Sequence, residues 1–425
     1  MGARGKQRRK QRRAAEIAAG VRQPTSGWTP FEARDEPAPW QNWCIDTEDG
    51  ALEQMEHAMQ LPSAVRGALM PDAHRGYGLP IGGVLATEGT VVPYAVGVDI
   101  ACRMKLSVFD LETSALSGQQ DRLEKVLRRE TVFGTGATVN PKERLDHDVL
   151  DAERWNDVPL LRGLREKATG QLGTSGSGNH FVEFGELTLD EPDLGLDAGR
   201  YLAVMSHSGS RGPGAMIASH FTKVARAAHP DLPDELGHLA WLDLDSDDGR
   251  AYWYAMELMG EFASASHWVI HERIRKALGS KVIAGVENHH NYAWKEVHDG
   301  REVVVHRKGA TPAGAGVLGV IPGSMASPAF VVRGRGSTAS LESASHGAGR
   351  VMSRSEAKRR FRWADVRPVL DAANVKLLSA GIDENPGVYK DIHEVMSQQR
   401  DLVDVVARFD PRIVRMADAG ERPED

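Results

Sequence analysis

The chain has 425 residues, of which 41% are hydrophobic and 26% are charged, a composition typical of globular proteins. No apolar run reaches the length of about 18 residues that a membrane-spanning helix needs, so we expect no contact with a membrane. The two cysteines, Cys44 and Cys102, cannot build a disulfide framework. We therefore expect a reducing, cytoplasmic setting.

Charge is distributed unevenly along the chain, whose formal net charge is −7. Residues 1–13, MGARGKQRRKQRR, hold seven lysines or arginines and no acid, whereas the remainder carries 45 basic and 59 acidic residues. Such a tail can tether a polyanion, but it equally fits a disordered, solubilising extension. Because the body is acidic, a nucleic-acid substrate would be contacted locally, at an end, rather than along a broad surface.

In chain order, local patterns predict helices and strands that mix without a regular βαβ rhythm. The predicted helices cover residues 52–62, 120–130, 247–278, 363–381 and 392–409. The predicted strands cover 91–109, which a turn breaks, 201–212, which runs into a glycine-rich turn, and 301–310. We expect a flexible basic extension over residues 1–26 and one large catalytic domain over residues 27–425. Its predicted fold class is α+β, with sheets surrounded by helices and no doubly wound sheet.

Several histidines occur in segments rich in glycine, serine and asparagine, which read as tight loops beside strands. Binding and catalytic groups concentrate in such loops. These histidines are His74 in PDAHRGYG, His180 in GTSGSGNHFVEF, His207 in SHSGSRG, His289 and His290 in ENHHNYAWKE, and His346 in SHGAGR. Others, such as His220 and His267, lie in helical stretches and read as ordinary surface or core residues.

Asp99 and Cys102, in VGVDIACRM, add the other ligand types that metal sites use. Residues three apart on a regular strand point to opposite faces, so both can face one site only if the chain kinks at Ile100 and Ala101. A thiolate is a strong metal ligand, and one Asp, one Cys and three His could hold two divalent ions. Taken singly, Cys102 also fits a small buried hydrophobe and Asp99 a turn residue.

The segment SASHGAGRVMSR, residues 343–354, places His346 before a Gly-Ala-Gly triplet and then Arg350. Small residues let a backbone approach a ligand closely, and the guanidinium fork fits phosphate oxygens. The segment therefore reads as a histidine presented to a phosphorylated ligand. The alternative is a helix N-terminus capped by Ser345. The Walker A sequence is absent, which excludes a P-loop NTPase.

Taken together and in order, nine segments resemble the motifs of the RtcB family of RNA ligases. They are PDAHRGYGLPIGG, VGVDIACRM, GTSGSGNHFVEF, SHSGSRG, ENHHNYAW, HRKGATPA, IPGSM, SHGAGR and YKDI, and they run from about Pro71 to Asp391. The resemblance implies an enzyme that joins an RNA 3′-phosphate or 2′,3′-cyclic phosphate to an RNA 5′-hydroxyl, in RNA repair or tRNA splicing. It implies GTP and two Mn²⁺ ions as cofactors. The KxDG motif of lysine-dependent ligases is absent.

The resemblance also implies roles for particular residues. His346 would take GMP from GTP as the nucleophile. The implied metal ligands are Asp99, Cys102, His180, His207 and His290, with the Cys102 thiolate bridging the two ions. The implied nucleotide contacts are Asn179, Glu183, Asn291, Gly323, Ser324, Met325, Gly347, Ala348, Gly349 and Arg415.

The chain departs from better-known members of the family at a few positions. Ala101 and Arg103 stand where those members have glycine, and Arg103 brings a bulky cation next to Cys102. Arg415 is the nearest candidate for a lysine that contacts the guanine, and Arg and Lys are not equivalent at such a site. Cys and His ligands by their softness favour zinc over manganese.

Two alternatives to a ligase remain open at this point. One is a two-metal phosphoesterase that opens cyclic phosphates without ligation, and the other is a non-catalytic protein that binds RNA ends. The pairing of His346 with Arg350 favours the ligase over the esterase, and the complete set of metal-type residues argues against a binding protein. No heptad pattern stands out, so we expect a monomer, and an accessory activator stays open.

Overall fold

The computed structural model describes residues 31–421. The flexible extension predicted over residues 1–26 lies outside the described residues, as do residues 422–425. Within residues 31–421, no helix is long and apolar enough to cross a membrane.

The helices are numbered α1 to α12 in chain order, and the strands β1 to β17. The helices are α1 Asp49–Met59, α2 Pro93–Val96, α3 Ala115–Gly118, α4 Gln120–Glu130, α5 Arg154–Asp157, α6 Pro159–Arg162, α7 Arg165–Gln171, α8 Arg211–Ala228, α9 Asp247–Leu278, α10 Arg354–Arg360, α11 Trp363–Ala372 and α12 Ile392–Ser397. Short 3₁₀ helices cover Pro141–Glu143, Asp148–Leu150, Asp234–Leu239, Thr338–Ser340, Ile382–Glu384 and Pro386–Val388.

The strands lie mainly in two large sheets. They are β1 Trp40–Asn42, β2 Ala64–Tyr77, β3 Leu79–Thr87, β4 Thr90–Val91, β5 Arg103–Phe109, β6 Phe181–Leu189, β7 Gly199–Ser208, β8 Leu242–Asp243, β9 Val282–His289, β10 Asn291–His298, β11 Arg301–Lys308, β12 Ala310–Pro312, β13 Leu318–Ile321, β14 Ala329–Gly334, β15 Ser343–Ser345, β16 Lys376–Ser379 and β17 Val403–Met416.

A five-stranded sheet has the order β1-β2-β3-β11-β10, and an eight-stranded sheet has the order β13-β14-β17-β6-β7-β5-β9, with β16 added beside β17. Two further pairs, β12-β15 and β4-β8, complete the described strands. Within residues 31–421 the strand pairs are antiparallel except β1-β2 and β16-β17. The predicted α+β class without a doubly wound sheet is therefore confirmed.

Both faces of the eight-stranded sheet are apolar, because side chains alternate along each strand. Leu106 and Met205 belong to the core on one face, whereas Phe184 and Val204 belong to the core on the other. Ile270 of α9 covers the second face. The sheet is thus a buried layer between two apolar cores.

Helix α9 has the bounds predicted from the sequence. The Ser246 side chain accepts a hydrogen bond from the Gly249 backbone N–H at the N-terminus, and Gly279 ends the helix in a left-handed conformation, with φ of 63°. A hydroxyl cap and a glycine stop are strong local signals, which is why periodicity identifies this helix well.

Two helix predictions near the C-terminus are partly wrong. The helix predicted over 363–381 ends at Ala372, and Lys376–Ser379 forms β16. The helix predicted over 392–409 ends at Ser397, and the long strand β17 begins at Val403. Strand β17 pairs with both β14 and β6, so tertiary pairing outweighs the helical spacing of its apolar residues.

Candidate active site

A cavity of about 290 Å³ receives residues from both large sheets and from the loop after β15. It brings together almost all residues predicted for the site, although their positions in the sequence are far apart. Those lining it are Asp99, Cys102, Asn179, His180, Glu183, His207, His290, Asn291, Gly323, Ser324, Met325, His346, Gly347, Ala348 and Gly349. Arg415 does not line it.

A sharp kink precedes β5, at the position that the sequence required. Ala101 adopts a left-handed conformation with φ of 59°, and its N–H donates to the Asn291 carbonyl at 2.7 Å. The turn is closed by the Cys102 N–H, which donates to the Asp99 carbonyl at 3.2 Å. Asp99 and Cys102 consequently both face the cavity, and the positive φ of Ala101 is one that glycine adopts without steric cost.

The five predicted metal ligands form one buried, connected cluster. The Cys102 Sγ atom lies 3.1 Å from His207 Nε2 and 3.5 Å from His180 Nε2. His207 Nε2 lies 3.2 Å from His290 Nε2, and His180 Nε2 lies 3.1 Å from Asp99 Oδ2. Cys102, His180 and His207 each place a ligand atom within 4.8 Å of the others, a spacing that a shared metal ion requires.

The charge states of the cluster suit metal binding. Burial lowers the pKa of His207 and of His290 well below the usual range, so both imidazoles are neutral and keep a lone pair. Burial acts to raise the pKa of Asp99, but the hydrogen bond and charge of His180 and the charge of Arg211 lower it, and the net direction is down. Asp99 is thus a carboxylate.

A backbone contact orients one of these imidazoles. His207 Nδ1 lies 3.2 Å from the Asn179 carbonyl oxygen, which can only accept a hydrogen bond. Nδ1 therefore carries the proton, and the lone pair of Nε2 faces Cys102 and His290. This is the tautomer that a metal ligand needs.

The cluster fits a divalent transition-metal ion by its chemistry as well as its geometry. It offers one thiol, three imidazoles and one carboxylate, the donor types of such sites. The buried Nδ1 atom of His290 has no hydrogen-bond partner among the described residues. A buried polar nitrogen without a hydrogen-bond partner lowers the stability of the fold. Such a cost is expected of a residue whose role is to bind a ligand rather than to stabilise the protein.

His346 lies directly after β15, and a single carboxylate holds it. Its ring Nδ1 donates to Asp72 Oδ2 at 2.6 Å, and the backbone N–H groups of His346 and Gly347 donate to the same oxygen at 3.0 and 3.2 Å. Nε2 is therefore the free nitrogen. The His346 ring centroid lies 5.0 Å from that of His290. His346 is therefore next to the cluster of five predicted metal ligands, called the metal-type cluster below.

Asp72 is a residue of the candidate site that the sequence analysis missed. It lies in the quoted segment PDAHRGYG, two residues before His74, but it is separated from His346 by 274 positions. It is fully buried. Burial acts to raise its pKa, the charge and hydrogen bond of His346 lower it, and the net direction is down. The sequence places Asp72 close to His74 in this motif, but that proximity does not identify His346 as the residue that Asp72 contacts.

Two glycines allow the close packing around His346. Gly309 has φ of 64°, and a Cβ atom added there would lie 3.1 Å from His346 Cε1. Gly349 has φ of 73°, and an added Cβ atom would lie 2.2 Å from the Asp72 carbonyl oxygen. A side chain at Gly349 would separate the loop from Asp72.

The alternative of a helix N-terminus at this loop is wrong, because Ser345 ends strand β15 and no helix follows until Arg354. Arg350 lines the cavity, but its guanidinium is engaged with protein groups. It contacts Glu384 Oε2 at 3.2 Å and donates to the Asp383 carbonyl at 2.8 Å. The guanidinium also lies 5.5 Å from the Tyr389 ring centroid. Its direct use on phosphate would require it to leave Glu384.

The wall beside the metal-type cluster carries polar groups open to a ligand. The side-chain oxygen of Asn179 is buried without a hydrogen-bond partner among the described residues. Burial raises the pKa of Glu183 well above its usual range, which favours the neutral form of that side chain. Ser324 Oγ lies 2.6 Å from Ser327 Oγ. Together they offer both donors and acceptors.

Arg415 lies on the opposite face of β17 from the cavity. Its neighbours Val414 and Met416 line the cavity, and alternation along a strand turns Arg415 away. Its guanidinium donates to the carbonyls of Leu127 and Thr131 at 2.8 and 3.0 Å, at the C-terminal end of α4. We therefore remove Arg415 from the nucleotide contacts and treat it as a cap of that helix.

Arg103 also points away from the cavity, despite its place next to Cys102. Its guanidinium forms an ion pair with Glu287 and donates to the Gly260 carbonyl at 2.9 Å. The Arg103 guanidinium thus links β5 to β9 and α9. His289 does not line the cavity either, and it stacks on Trp294 with ring centroids 5.0 Å apart.

The fold and the cavity define an α+β protein in which a metal-type Cys/His cluster adjoins a carboxylate-held histidine. The chain belongs to the RtcB family: the family described as tRNA-splicing ligase RtcB matches residues 54–417. The chain is 35% identical to the Escherichia coli protein named RNA-splicing ligase RtcB1 over 399 residues, which covers 87% of this chain and 95% of that protein.

Two further relatives come from distant organisms. The Mycobacterium tuberculosis protein named RNA-splicing ligase RtcB is 33% identical over 430 residues, covering 84% of this chain and 98% of that protein. The Thermococcus kodakarensis protein named tRNA-splicing ligase RtcB is 30% identical over 440 residues, covering 86% of this chain and 90% of that protein. The similarity therefore spans most of the described domain rather than a single motif.

Proposed function

We propose that this protein is a GTP- and Mn²⁺-dependent RNA ligase. It joins an RNA 3′-phosphate or 2′,3′-cyclic phosphate to a 5′-hydroxyl, in RNA repair or tRNA splicing, as its family membership supports. The observation that carries the proposal is the placement of His346. Its Nδ1 is held by Asp72 at 2.6 Å while its ring adjoins His290, so the free Nε2 can meet a phosphate near the metal-type cluster.

The first step is nucleophilic attack by His346. The Nε2 lone pair forms a bond to the α-phosphorus of GTP, and the bond from that phosphorus to the bridging oxygen breaks, releasing pyrophosphate. The ring gains positive charge as the bond forms. Asp72 stabilises that charge through the Nδ1–H hydrogen bond, the role that a buried carboxylate plays beside other catalytic histidines.

Two further transfers complete the reaction. An oxygen of the RNA 3′-phosphate attacks the phosphorus of the histidine-GMP, and the P–N bond breaks. The RNA 3′ end is then joined through a diphosphate to the 5′ position of guanosine. The 5′-hydroxyl oxygen of the second RNA then attacks the RNA phosphorus, loses its proton and displaces GMP. A cyclic phosphate is hydrolysed to the 3′-phosphate before the first of these transfers.

Asp99, Cys102, His180, His207 and His290 would hold the two Mn²⁺ ions, with Cys102 in contact with two of the other ligands. When bound, the ions supply positive charge to the phosphate oxygens and activate oxygen nucleophiles. The identity of the metal follows the family, since the thiol and imidazole donors alone favour zinc.

The neighbouring wall is the proposed nucleotide site. Its contacts are Asn179, Glu183, Asn291, Gly323, Ser324, Met325, Gly347, Ala348 and Gly349. The Asn179 side-chain oxygen, which has no hydrogen-bond partner among the described residues, would give the nucleotide an acceptor, and Glu183, whose neutral form burial favours, would give it a donor. We further propose that the protein works in the cytoplasm as a monomer, and the lack of a disulfide between Cys44 and Cys102 agrees with a reducing compartment.

The test is a ligation assay with two labelled RNAs, one ending in a 2′,3′-cyclic phosphate and one beginning with a 5′-hydroxyl. With GTP and Mn²⁺ the wild type should join them, and H346A should not. A matched RNA beginning with a 5′-phosphate should stay unjoined. Opening of the cyclic phosphate without joining, in wild type loaded with metal and GTP, would overturn the ligase and favour a phosphoesterase.

A further inference from the structure

An exposed aromatic ring stands at the mouth of the catalytic cavity. Tyr77 is the last residue of β2, lines the cavity that contains His346, and is 66% exposed. Exposed aromatic side chains occur singly on many protein surfaces, so exposure alone assigns no role. What distinguishes Tyr77 is the number of contacts that hold it in place.

The backbone of Tyr77 is fixed by the turn and by a buried lysine. Gly78 follows with φ of 71°, and a Cβ atom added there would lie 2.9 Å from His238 Cβ, so the β2–β3 hairpin packs directly on the 3₁₀ helix Asp234–Leu239. Lys308 is buried, and its Nζ donates to the Tyr77 carbonyl at 2.5 Å. The ring is therefore presented from a rigid base.

Aromatic neighbours support one side of the ring. Tyr94 meets Tyr77 edge-on, with ring centroids 6.5 Å apart and planes at 85°, and His238 lies at 5.6 Å. Tyr94 and His238 also contact each other at 4.7 Å. An aromatic side chain that is already ordered loses little conformational entropy when it binds a ligand.

Two exposed arginines, Arg75 and Arg226, carry the positive charge beside this aromatic group, whereas Lys308 is buried, and burial lowers its pKa to about 7. Burial lowers the pKa of His238, and the charges of Arg226 and Lys308 lower it further. Lys308 Nζ lies 4.8 Å from the Tyr94 ring centroid, and Arg75 is exposed two residues before Tyr77. Exposed aromatic faces beside cations are how proteins bind single-stranded nucleic acids, whose bases stack while the phosphates are neutralised.

Consecutive residues join this group to the reaction centre. Lys308 holds the Tyr77 carbonyl, and the next residue, Gly309, packs so closely on His346 that an added Cβ atom would lie 3.1 Å from its Cε1. Tyr77 and His346 thus line one cavity, so a nucleotide held at Tyr77 would lie at the rim of the space in which the RNA phosphorus would react.

We propose that Tyr77 binds the terminal nucleobase of an RNA end by stacking, with Arg75 and Arg226 next to the adjoining phosphates. The inference rests on the proposed function for the identity of the ligand, and it names what holds that ligand. Every nucleobase has an aromatic face, so this contact accepts any terminal base.

The test measures the affinity of two internally labelled RNA oligomers by fluorescence anisotropy, with Mn²⁺ and without GTP. One oligomer ends in a 3′-phosphate and the other begins with a 5′-hydroxyl. Tyr77→Ala should raise the Kd of at least one of them by roughly 5- to 100-fold, and the oligomer affected identifies the end that stacks. Tyr77→Phe and Tyr77→Trp should bind like the wild type. W268A is a matched control, since Trp268 is 43% exposed but lies outside the cavity.

A second measurement separates stacking from a structural effect. Replacing the terminal nucleotide by an abasic one should weaken binding to the wild type as much as Tyr77→Ala does, and the two changes together should cost no more than either alone. Equal binding of the intact and abasic oligomers would overturn the inference, even if the variant did not fold. Normal binding by Tyr77→Ala would overturn it too. Because GTP is absent, a failure of GMP transfer would count against the proposed function alone.

Discussion

The two walls of the catalytic cavity are built in different ways. The metal-type wall comes from strand ends of the eight-stranded sheet: Cys102 directly precedes β5, His180 directly precedes β6, and His207 is the penultimate residue of β7. The opposite wall is a loop, in which His346 is held by the carboxylate of Asp72 from β2. The backbone hydrogen bonds of the eight-stranded sheet therefore position the predicted metal ligands, whereas the side chain of Asp72 positions His346.

This difference predicts that the two walls can be damaged separately. A change at Asp72 should disturb the orientation of His346 and spare the metal-type cluster. A change at Cys102 should do the reverse, because Asp72 holds His346 directly, whereas the thiol contacts His207. The predictions below test that separation.

The largest effect is expected from Asp72→Asn. The substitution keeps the size of the side chain but removes the charge that faces His346 Nδ1, so we expect GMP transfer to slow by about 10²- to 10⁴-fold. Single-turnover labelling with α-³²P-GTP measures the rate, and the metal content should match the wild type. Asp410→Asn, at a surface ion pair with Arg408, is the control. A normal rate of GMP transfer in Asp72→Asn would show that the Asp72 carboxylate does not position His346.

The second prediction concerns the metal-type wall. Cys102→Ser replaces a thiol that contacts two histidines. Mutation of residues that only hydrogen-bond to metal ligands typically lowers metal affinity by about 10- to 100-fold. We therefore expect loss of the Cys102 thiol to lower the Mn²⁺ affinity by more than about 100-fold. Cys44→Ser is a matched control, because Cys44 is also buried and outside a disulfide but contacts Lys390 outside the cavity. Equilibrium dialysis gives both affinities. Equal losses in the two variants would contradict the assignment of Cys102.

The kink before β5 should tolerate glycine and reject a branched residue. Ala101 has φ of 59°, a conformation that β-branched side chains adopt at high cost. Ala101→Val should lower the free energy of unfolding by about 2 kcal/mol and weaken metal binding, because Asp99 and Cys102 would no longer face one site. Ala101→Gly should change stability by less than about 1 kcal/mol. Urea unfolding distinguishes the two, and equal stability of both variants would count against the kink.

The smallest effect is expected outside the cavity, at Arg415. Arg415→Ala removes hydrogen bonds to the last carbonyls of α4, so we expect a loss of about 1 to 2 kcal/mol in the free energy of unfolding. The preference for GTP over ATP in GMP transfer should stay unchanged, because the side chain points away from the nucleotide wall. A relaxed base preference at normal stability would restore Arg415 to the site.

Local patterns predicted the parts of the molecule whose signals are local. Helix α9 has a serine cap and a glycine stop, and its bounds follow from them. The need for a kink at Ala101 followed from the two-residue period of strands together with the choice of Asp99 and Cys102 as ligands. The resemblance of the ordered motifs to the family was enough to collect the cavity residues, because most of those motifs lie at the ends of strands.

The remaining features depend on contacts that no local pattern contains. The pairing of Asp72 with His346 joins residues 274 positions apart. The orientation of Arg415 depends on the register of β17 against β6, since a shift by one residue would exchange the faces of the strand. The same double pairing of β17 overrode the helical spacing after residue 397.

The central claim is that His346 is the nucleophile of a metal-dependent nucleotidyl transfer, and the most direct test is covalent labelling. Purified protein is incubated with Mn²⁺ and α-³²P-GTP, denatured, separated on a gel and digested for peptide mapping. We predict an acid-labile label on the peptide that contains His346, absent from H346A. No label in protein shown to contain metal, or a label that persists in H346A, would contradict the account.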